Sequence, residues 1–371
     1  MFAGTGVVIT ITAIPMTMLI DIQHLVSYSQ SINKPGVCES IQIRESSGEV
    51  EMQNKDLVLG IDIGGTKTAF GFVDRQGTIY GAHTMATQSG QSAHDFMARL
   101  YPRIEEVREE LSFPYRLCGV GIGAPNAHHD RGTIEKAVNL NWGETVDLVA
   151  LVKAYYDLPI SITNDANAAA LGEMLFGHAR GMKHFLVITL GTGLGSGIVT
   201  NGRLLYGASG FAGELGHTVV EPDGRLCRCG KMGCLEAYVS AAGLVTTALE
   251  LVCGCRDQTE LRAMPDEGIT AKRIFDLAMK GDAIALEAFD RTARILGMKL
   301  ADAVAHLSPE AIFLSGGLSK AGDILRIPTQ KHMNHFLFGA YQDTVKLLPS
   351  GLETGASAVL GAAALIWNDL T

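Results

Sequence analysis

Residues 58–73 read VLGIDIGGTKTAFGFV, and residues 185–200 read FLVITLGTGLGSGIVT. Each stretch is an apolar run, a glycine-rich turn and a second apolar run, which is how a strand, a tight turn and a returning strand are written. A unit of this kind occurring twice in one chain implies two related α/β domains. Two such domains closing over a nucleotide would leave this internal duplication.

Around the first unit, DLVLGID (56–62), TKTAFGFVD (66–74) and GTIYGAHTMA (77–86) are separated by short turns at Gly64-Gly65 and Gln76-Gly77, and predict an antiparallel meander. Phe96, Leu100, Ile104, Val107 and Leu111 recur at three- and four-residue spacing, so residues 92–112 predict a helix. LCGVGIG (117–123) and residues 159–163 predict buried strands. ANAAALGEMLFG (166–177) predicts a helix with Gly177 as its C-cap. Around the second unit, HFLVITL is a strand, LGTGLGSG a turn and GIVTNGRLLYG a returning strand. A helix over 283–307, a strand at AIFLSGG (311–317), a helix over 319–327 and a final helix in GASAVLGAAALIW (355–367) complete the pattern.

With 371 residues, 47% of them hydrophobic, the chain can bury a large core spread over two domains. A net charge of −9 argues against a nucleic-acid surface. The seven cysteines are an odd number, and four of them form the C-x-C pairs Cys227/Cys229 and Cys253/Cys255. Zinc and reduced thiols in a cytoplasmic protein fit this pattern better than a secreted disulfide framework. Cys38, Cys118, Cys253 and Cys255 receive no role.

Residues 1–55 differ from the rest. Residues 1–20 are uncharged and superficially resemble a membrane anchor, but no Lys or Arg precedes the run, Pro15 interrupts it, and no clear cleavage site follows. Residues 27–55 are polar and unpatterned. This extension is expected to be disordered or to precede a true start near Met52, and no membrane association is expected.

Asp62-Ile63-Gly64-Gly65-Thr66-Lys67 is not a Walker phosphate loop, because Thr rather than Lys follows Gly65 and a strand follows the turn. Its glycines can turn backbone N–H groups toward an anion, Thr66 and Lys67 add donors, and Asp62 can hold Mg2+ through water. An ordinary hairpin reads the same way. Thr192 and Gly193 lie in the second turn, where a facing nest would grip a polyphosphate. Gly316 and Gly317 follow an apolar strand and permit a flat ring to lie against backbone. Asn164-Asp165 ends a strand and precedes a helix. Alone the pair suits an N-cap, whereas in the company of the glycine turns Asp165 suits a base that takes a hydroxyl proton.

Residues 213–236, GELGHTVVEPDGRLCRCGKMGCLE, bring His217, Cys227, Cys229 and Cys234 into a spacing that predicts a closed, four-ligand structural zinc. A set with no open position leaves no room for Lewis-acid catalysis. Glu214 and Glu236 flank it, and a metal-held backbone would position both acids.

Together DIGGTK, GIGAP, TNDANAAALGE, LGTGLGSG, ELGH and CRCGKMGCLE resemble the ROK family (repressors, open reading frames and sugar kinases) from about Asp56 to the end of the chain. The glycine loops alone are shared with actin-like ATPases generally, while ELGH with the zinc cysteines is specific. The resemblance implies a two-domain, actin-like ATPase fold, built on ribonuclease H-like duplicated domains with an interdomain cleft and a zinc-binding loop. Residues 56–163 with 356–371 would form one domain and residues 164–355 the other. It implies Asp165 as catalytic base. Gly123, Ala124, Asn139, Asn164, Glu214, His217 and Glu236 would bind the sugar, with His217 serving zinc through its other ring nitrogen. Asp62, Gly64, Gly65, Thr66, Lys67, Thr192 and Gly193 would meet Mg2+ and the ATP phosphates, and Gly316 and Gly317 the adenosine. Where many members have Pro-Gly, this chain has Pro125-Asn126, followed by His128-His129.

The implied activity is ATP-dependent phosphorylation of a hexose at its 6-hydroxyl, with glucose first and N-acetylglucosamine, N-acetylmannosamine or fructose as alternatives. The implied assembly is a homodimer, and polyphosphate is an alternative donor. A sugar-sensing repressor of the same family would need a helix-turn-helix ahead of the core. Residues 1–55 are short for one and carry only Lys34, Arg44 and Lys55 as strong bases. An actin- or chaperone-like ATPase would leave the zinc loop and its two acids without a reason.

Overall fold

The computed structural model describes residues 54–370 apart from 138, 255–257, 266–267 and 353–354. The expectations for residues 1–53, and Cys255 with them, lie outside the described residues. Among the described residues no helix is long and apolar enough to cross a membrane.

The first half opens with β1 (Lys55–Ile63), β2 (Lys67–Val73) and β3 (Ile79–Ala86), the expected antiparallel meander. Helix α1 (Ala93–Glu109) starts where the side chain of Ser92 accepts the Asp95 N–H at 3.1 Å. It leads to β4 (Tyr115–Gly123), which pairs parallel with β1. Three short strands then form a separate small sheet, β5 (Ala127–His128), β6 (Thr133–Glu135) and β7 (Thr145–Asp147), which no pattern of residues announces. Helix α2 (Leu148–Lys153) and β8 (Ile160–Thr163) close this half in the order β3-β2-β1-β4-β8.

The second half repeats that order. After α3 (Asp165–Leu175) come β9 (Phe185–Leu190), β10 (Leu194–Thr200) and β11 (Arg203–Leu204) as an antiparallel meander. The helices α4 (Ala241–Gly254), α5 (Ala271–Ala278) and α6 (Ala283–Leu307) follow. Then β12 (Ala311–Ser315), α7 (Asp323–Phe336) and β13 (Lys346–Pro349) give the sheet β11-β10-β9-β12-β13, with β12 parallel to both its neighbours. Helix α8 (Ser357–Asp369) returns to the first sheet.

Alternation along β1 separates two cores. Leu57, Leu59, Ile61 and Ile63 pack with Phe96, Leu100 and Ile104 of α1, while Val58 packs with Val359, Ile366 and Trp367 of α8. Gly60 shares the face of Val58, and any Cβ there would overlap the Val359 carbonyl. On β4 a Cβ at Gly121 would overlap the Ala362 carbonyl. Helix α8 therefore lies directly on strand backbone, a contact only glycine allows. In the second half α3 does the same over β10, where a Cβ on Gly197 would overlap the Ala166 carbonyl. The two helices meet each other at Gly172 and Gly361, where a Cβ on Gly172 would stand 3.1 Å from the Gly361 Cα.

Three expectations change. The second turn is only Gly191–Gly193, and Gly195 and Gly197 belong to β10, where they serve helix packing. The predicted helix over 319–327 is a 3-10 turn at Leu318–Ala321, followed by the longer α7. Gly177 is not a left-handed cap; its missing side chain instead leaves room for the Glu173 carboxylate.

Candidate active site

Asp62 continues the face of Val58 and Gly60 on β1, one step past the last close contact with α8, and lines a cavity. It pairs in register with Gly123 at the end of β4. A Cβ at Gly123 would stand 3.3 Å from the Ala168 Cβ, 3.4 Å from Asp62 Oδ1 and 3.9 Å from the Asp165 Cα, so Gly123 lies between the two acids. A cavity of about 350 Å³ is lined by Asp62, Asp165 and Ala169 together with Thr189, Gly316, Lys320 and Ser350.

Asn164 and Asp165 divide the two roles their position offers. Asn164 is the N-cap, its Oδ1 accepting the Ala166 N–H at 2.8 Å. Asp165 is the first helical residue; it keeps solvent access through the cavity although protein atoms crowd it. That crowding raises its pKa, opposed by the Ala166 N–H bonded to Oδ1 at 2.8 Å. Burial first, and then the charge of Asp165, push Asp62 up to about 7.

Both glycine turns are closed by their own backbone. Gly64 N–H donates to the Lys67 carbonyl at 2.9 Å, and Gly191 N–H to the Gly193 carbonyl at 2.9 Å. These two donors are therefore engaged within the turns. Asn139 stands over the first turn, since a Cβ on Gly65 would meet its Cβ at 2.9 Å. At the second turn Glu236 Oε2 accepts the Leu194 N–H at 2.9 Å, and a Cβ on Gly193 would overlap that carboxylate. Glu236, expected at a sugar, thus has one oxygen engaged by the second glycine turn.

Ala124 is fully buried beside Gly123, its N–H donating to the Thr163 carbonyl at 2.9 Å. Asn126 takes a left-handed φ of 52°, a conformation Asn tolerates in place of Gly, and its amide donates to the carbonyl of Glu135 at 3.1 Å. His128 is buried edge-on against Phe211, and His129 stacks on Tyr206 at 4.5 Å. Both histidines are held by ring packing. Gly316, at φ +89°, passes close over the Leu190 backbone, and Gly317 follows it at the head of the 3-10 turn.

The predicted metal ligands converge. One ligand atom from each of His217, Cys227, Cys229 and Cys234 lies within 4.8 Å of every other. Cys229 Sγ and Cys234 Sγ are 3.7 Å apart, as are Cys227 Sγ and His217 Nδ1. Tetrahedral zinc with Zn–S bonds of about 2.3 Å requires sulfur edges of about 3.8 Å, so the set fits that ion. Burial pushes the Cys227 thiol up to about 12, so a cation is needed to hold it as thiolate. With Nδ1 on the cluster, His217 turns Nε2 toward Glu214 Oε2, 3.9 Å away. Burial raises the pKa of Glu214, His217 opposes this, and the charges of Asp165 and Glu236 add to it, so the three acids share one field.

Sequence reasoning passed over Arg225. Its guanidinium donates to the carbonyls of Ala237 and Gly243, both at 3.1 Å, to Thr247 Oγ1 at 2.9 Å and to both carboxylate oxygens of Glu250, over the ring of Tyr238. It anchors the cysteine loop to α4 beside Glu236, and a single arginine in a polar loop carries no pattern that reveals this.

The model of the ROK family matches residues 58–369. A curated glucokinase of Halalkalibacterium halodurans is 37% identical over 311 residues, 82% of this chain and 93% of that protein. A curated xylose repressor of Caldicellulosiruptor bescii is 31% identical over 85% of this chain and 80% of that protein. The crystal structure of a ROK family glucokinase from Streptomyces griseus, in complex with glucose and AMPPNP, superimposes with a TM-score of 0.72 at 35% identity, over 83% of this chain and 98% of that one. The duplicated sheets have the two-domain, actin-like ATPase architecture. By the family model and by these relatives, the chain belongs to the ROK family.

Proposed function

We propose that this protein phosphorylates glucose at its 6-hydroxyl with ATP as the donor. That it is a sugar kinase rests on curated glucokinases at 35% to 37% identity over most of the chain. Glucose and ATP are inferred from the glucose- and AMPPNP-bound neighbour. The observation that carries the reading is that Asp62 and Asp165 line one cavity together with the Gly316–Lys320 turn.

In this reading Asp165 takes the proton of the sugar O6. The O6–phosphorus bond forms as the bond from the γ-phosphorus to the bridging oxygen of ADP breaks. The crowding that raises the proton affinity of Asp165 favours that transfer, and the helix start holds the carboxylate in place. Glu214, His217, Asn164 and Asn139 would recognise hydroxyls, with Gly123 and Ala124 forming the wall. Phosphates would meet Gly65, Thr66, Lys67, Thr192 and Gly193, and adenosine the backbone of Gly316 and Gly317. Mg2+ held near Asp62 would neutralise charge on the phosphates. A zinc on His217 and the three cysteines would order the loop that carries Glu214 and Glu236, outside the transfer itself.

The full chain, assayed with ATP against glucose, fructose, N-acetylglucosamine and N-acetylmannosamine, tests this. Glucose is expected to exceed the others in kcat/KM by about tenfold or more. Turnover of another hexose at the highest efficiency would reassign the substrate, and no turnover of any would sink the kinase reading.

A further inference from the structure

Glu173 is 1% exposed and carries no role in the chemistry above. It lies on α3 at the i+8 position from Asp165, with Ala169 between, so the three occupy one stripe of the helix. Asp165 and Ala169 line the cavity. One turn further, the carboxylate of Glu173 accepts three donors, two from the distant 350–351 stretch and one from the loop just after α3. The Ser350 hydroxyl donates to Oε1, the Gly351 N–H donates at 3.0 Å, and the His178 N–H donates to Oε2 at 3.0 Å. Ser350 itself lines the cavity with Pro349 and Leu352, where the chain crosses from β13 to α8.

The surroundings are shaped for this carboxylate. A Cβ on Gly177 would overlap Glu173 Oε2, and a Cβ on Gly351 would meet the His178 nitrogen at 2.5 Å. The His178 and Gly351 N–H groups can only donate, and the Gly351 N–H reaches both oxygens, at 3.0 and 3.2 Å, so a carboxamide would set its NH2 beside a backbone donor whichever way it turned.

We propose that Glu173 is a positioning residue for the cavity wall that faces the nucleotide. It fixes Ser350 and Gly351 against the helix that begins at Asp165, and so sets the spacing between the reacting carboxylates and the wall that receives the nucleotide. This rests on the kinase reading above.

Full-length Glu173→Gln, Ser350→Ala and the double variant test it, with AMPPNP and glucose affinities measured separately by calorimetry and KM for ATP measured alongside. Glu173→Gln is expected to weaken AMPPNP and raise KM for ATP by about tenfold, with glucose affinity within about twofold of wild type. Ser350→Ala is expected to weaken AMPPNP by about threefold, and to add almost nothing in the Glu173→Gln background, because both act through one contact. Unchanged nucleotide affinity in Glu173→Gln, equal loss of sugar and nucleotide, or additive effects in the double variant would each overturn the proposal. If Glu173→Gln does not fold, Ser350→Ala decides alone, and unchanged AMPPNP affinity there overturns it. Wild-type chain that binds AMPPNP yet phosphorylates no hexose would count against the kinase reading, while the affinity comparison would still decide the role of Glu173.

Discussion

Asp62 and Asp165 come from different halves of the molecule, and their charges meet across Gly123. Asp62 ends a strand of the first sheet, and Asp165 opens the helix that lies on the second. Gly123 lies against both, and a Cβ there would touch Asp62 Oδ1 at 3.4 Å and the Asp165 Cα at 3.9 Å.

That pairing sets a pH dependence. Asp62 binds its proton more tightly in the folded chain than in the unfolded one, so its contribution to stability is complete below the ordinary carboxylate range and is lost as pH rises through about 7. In magnesium-free buffer Asp62→Asn should therefore melt higher than wild type at about pH 8.5, by on the order of 2–4 °C, and the difference should narrow as pH falls through about 7 and close only near about pH 4. Melting curves across that range check it; a difference independent of pH would count against the pairing.

Asp165→Asn keeps the shape of the helix start and removes the proton acceptor. We expect kcat to fall by about a thousandfold with glucose affinity within about threefold. Near-normal turnover would remove Asp165 from the role of base.

In the proposed function the link from metal to sugar would run through His217, whose two nitrogens face Cys227 and Glu214. Cys229→Ser should lose bound zinc, measured by elemental analysis, and weaken glucose binding by about tenfold or more. Loss of metal with unchanged glucose affinity would break that link.

The seat of α8 on strand backbone predicts a steric effect. Gly121→Ala places a methyl on the Ala362 carbonyl and should cost about 1–3 kcal/mol or more, seen as a drop of several degrees in Tm. Gly254→Ala, at the open end of α4, should leave Tm unchanged or slightly raised. Equal behaviour of the two would argue against the close helix–sheet contact.

What was legible in the sequence follows distance along the chain. Apolar periodicity gave the meanders, α1, α6 and the buried strands, because burial of a face repeats every two or three to four residues. The cysteine loop was legible because its ligands lie within eighteen residues, and a closed metal set leaves a spacing. The small sheet of β5, β6 and β7 was not, since strands of two or three residues carry too little pattern.

The glycines show where sequence reading stops. Gly193, Gly195 and Gly197 read as one phosphate nest, yet tertiary structure sets Gly193 against Glu236 and the other two beneath α3. Likewise nothing local marks Glu173 as the partner of Ser350, or Arg225 as the anchor of the cysteine loop. By itself the sequence determined the duplicated α/β architecture, the helix start at Asn164-Asp165 and the convergence of His217 with three cysteines, because each is a short-range pattern of burial, capping or ligand spacing. Only the tertiary structure decided which carboxylates share a field and which glycines answer to a helix, because those facts depend on contacts between segments far apart in the chain.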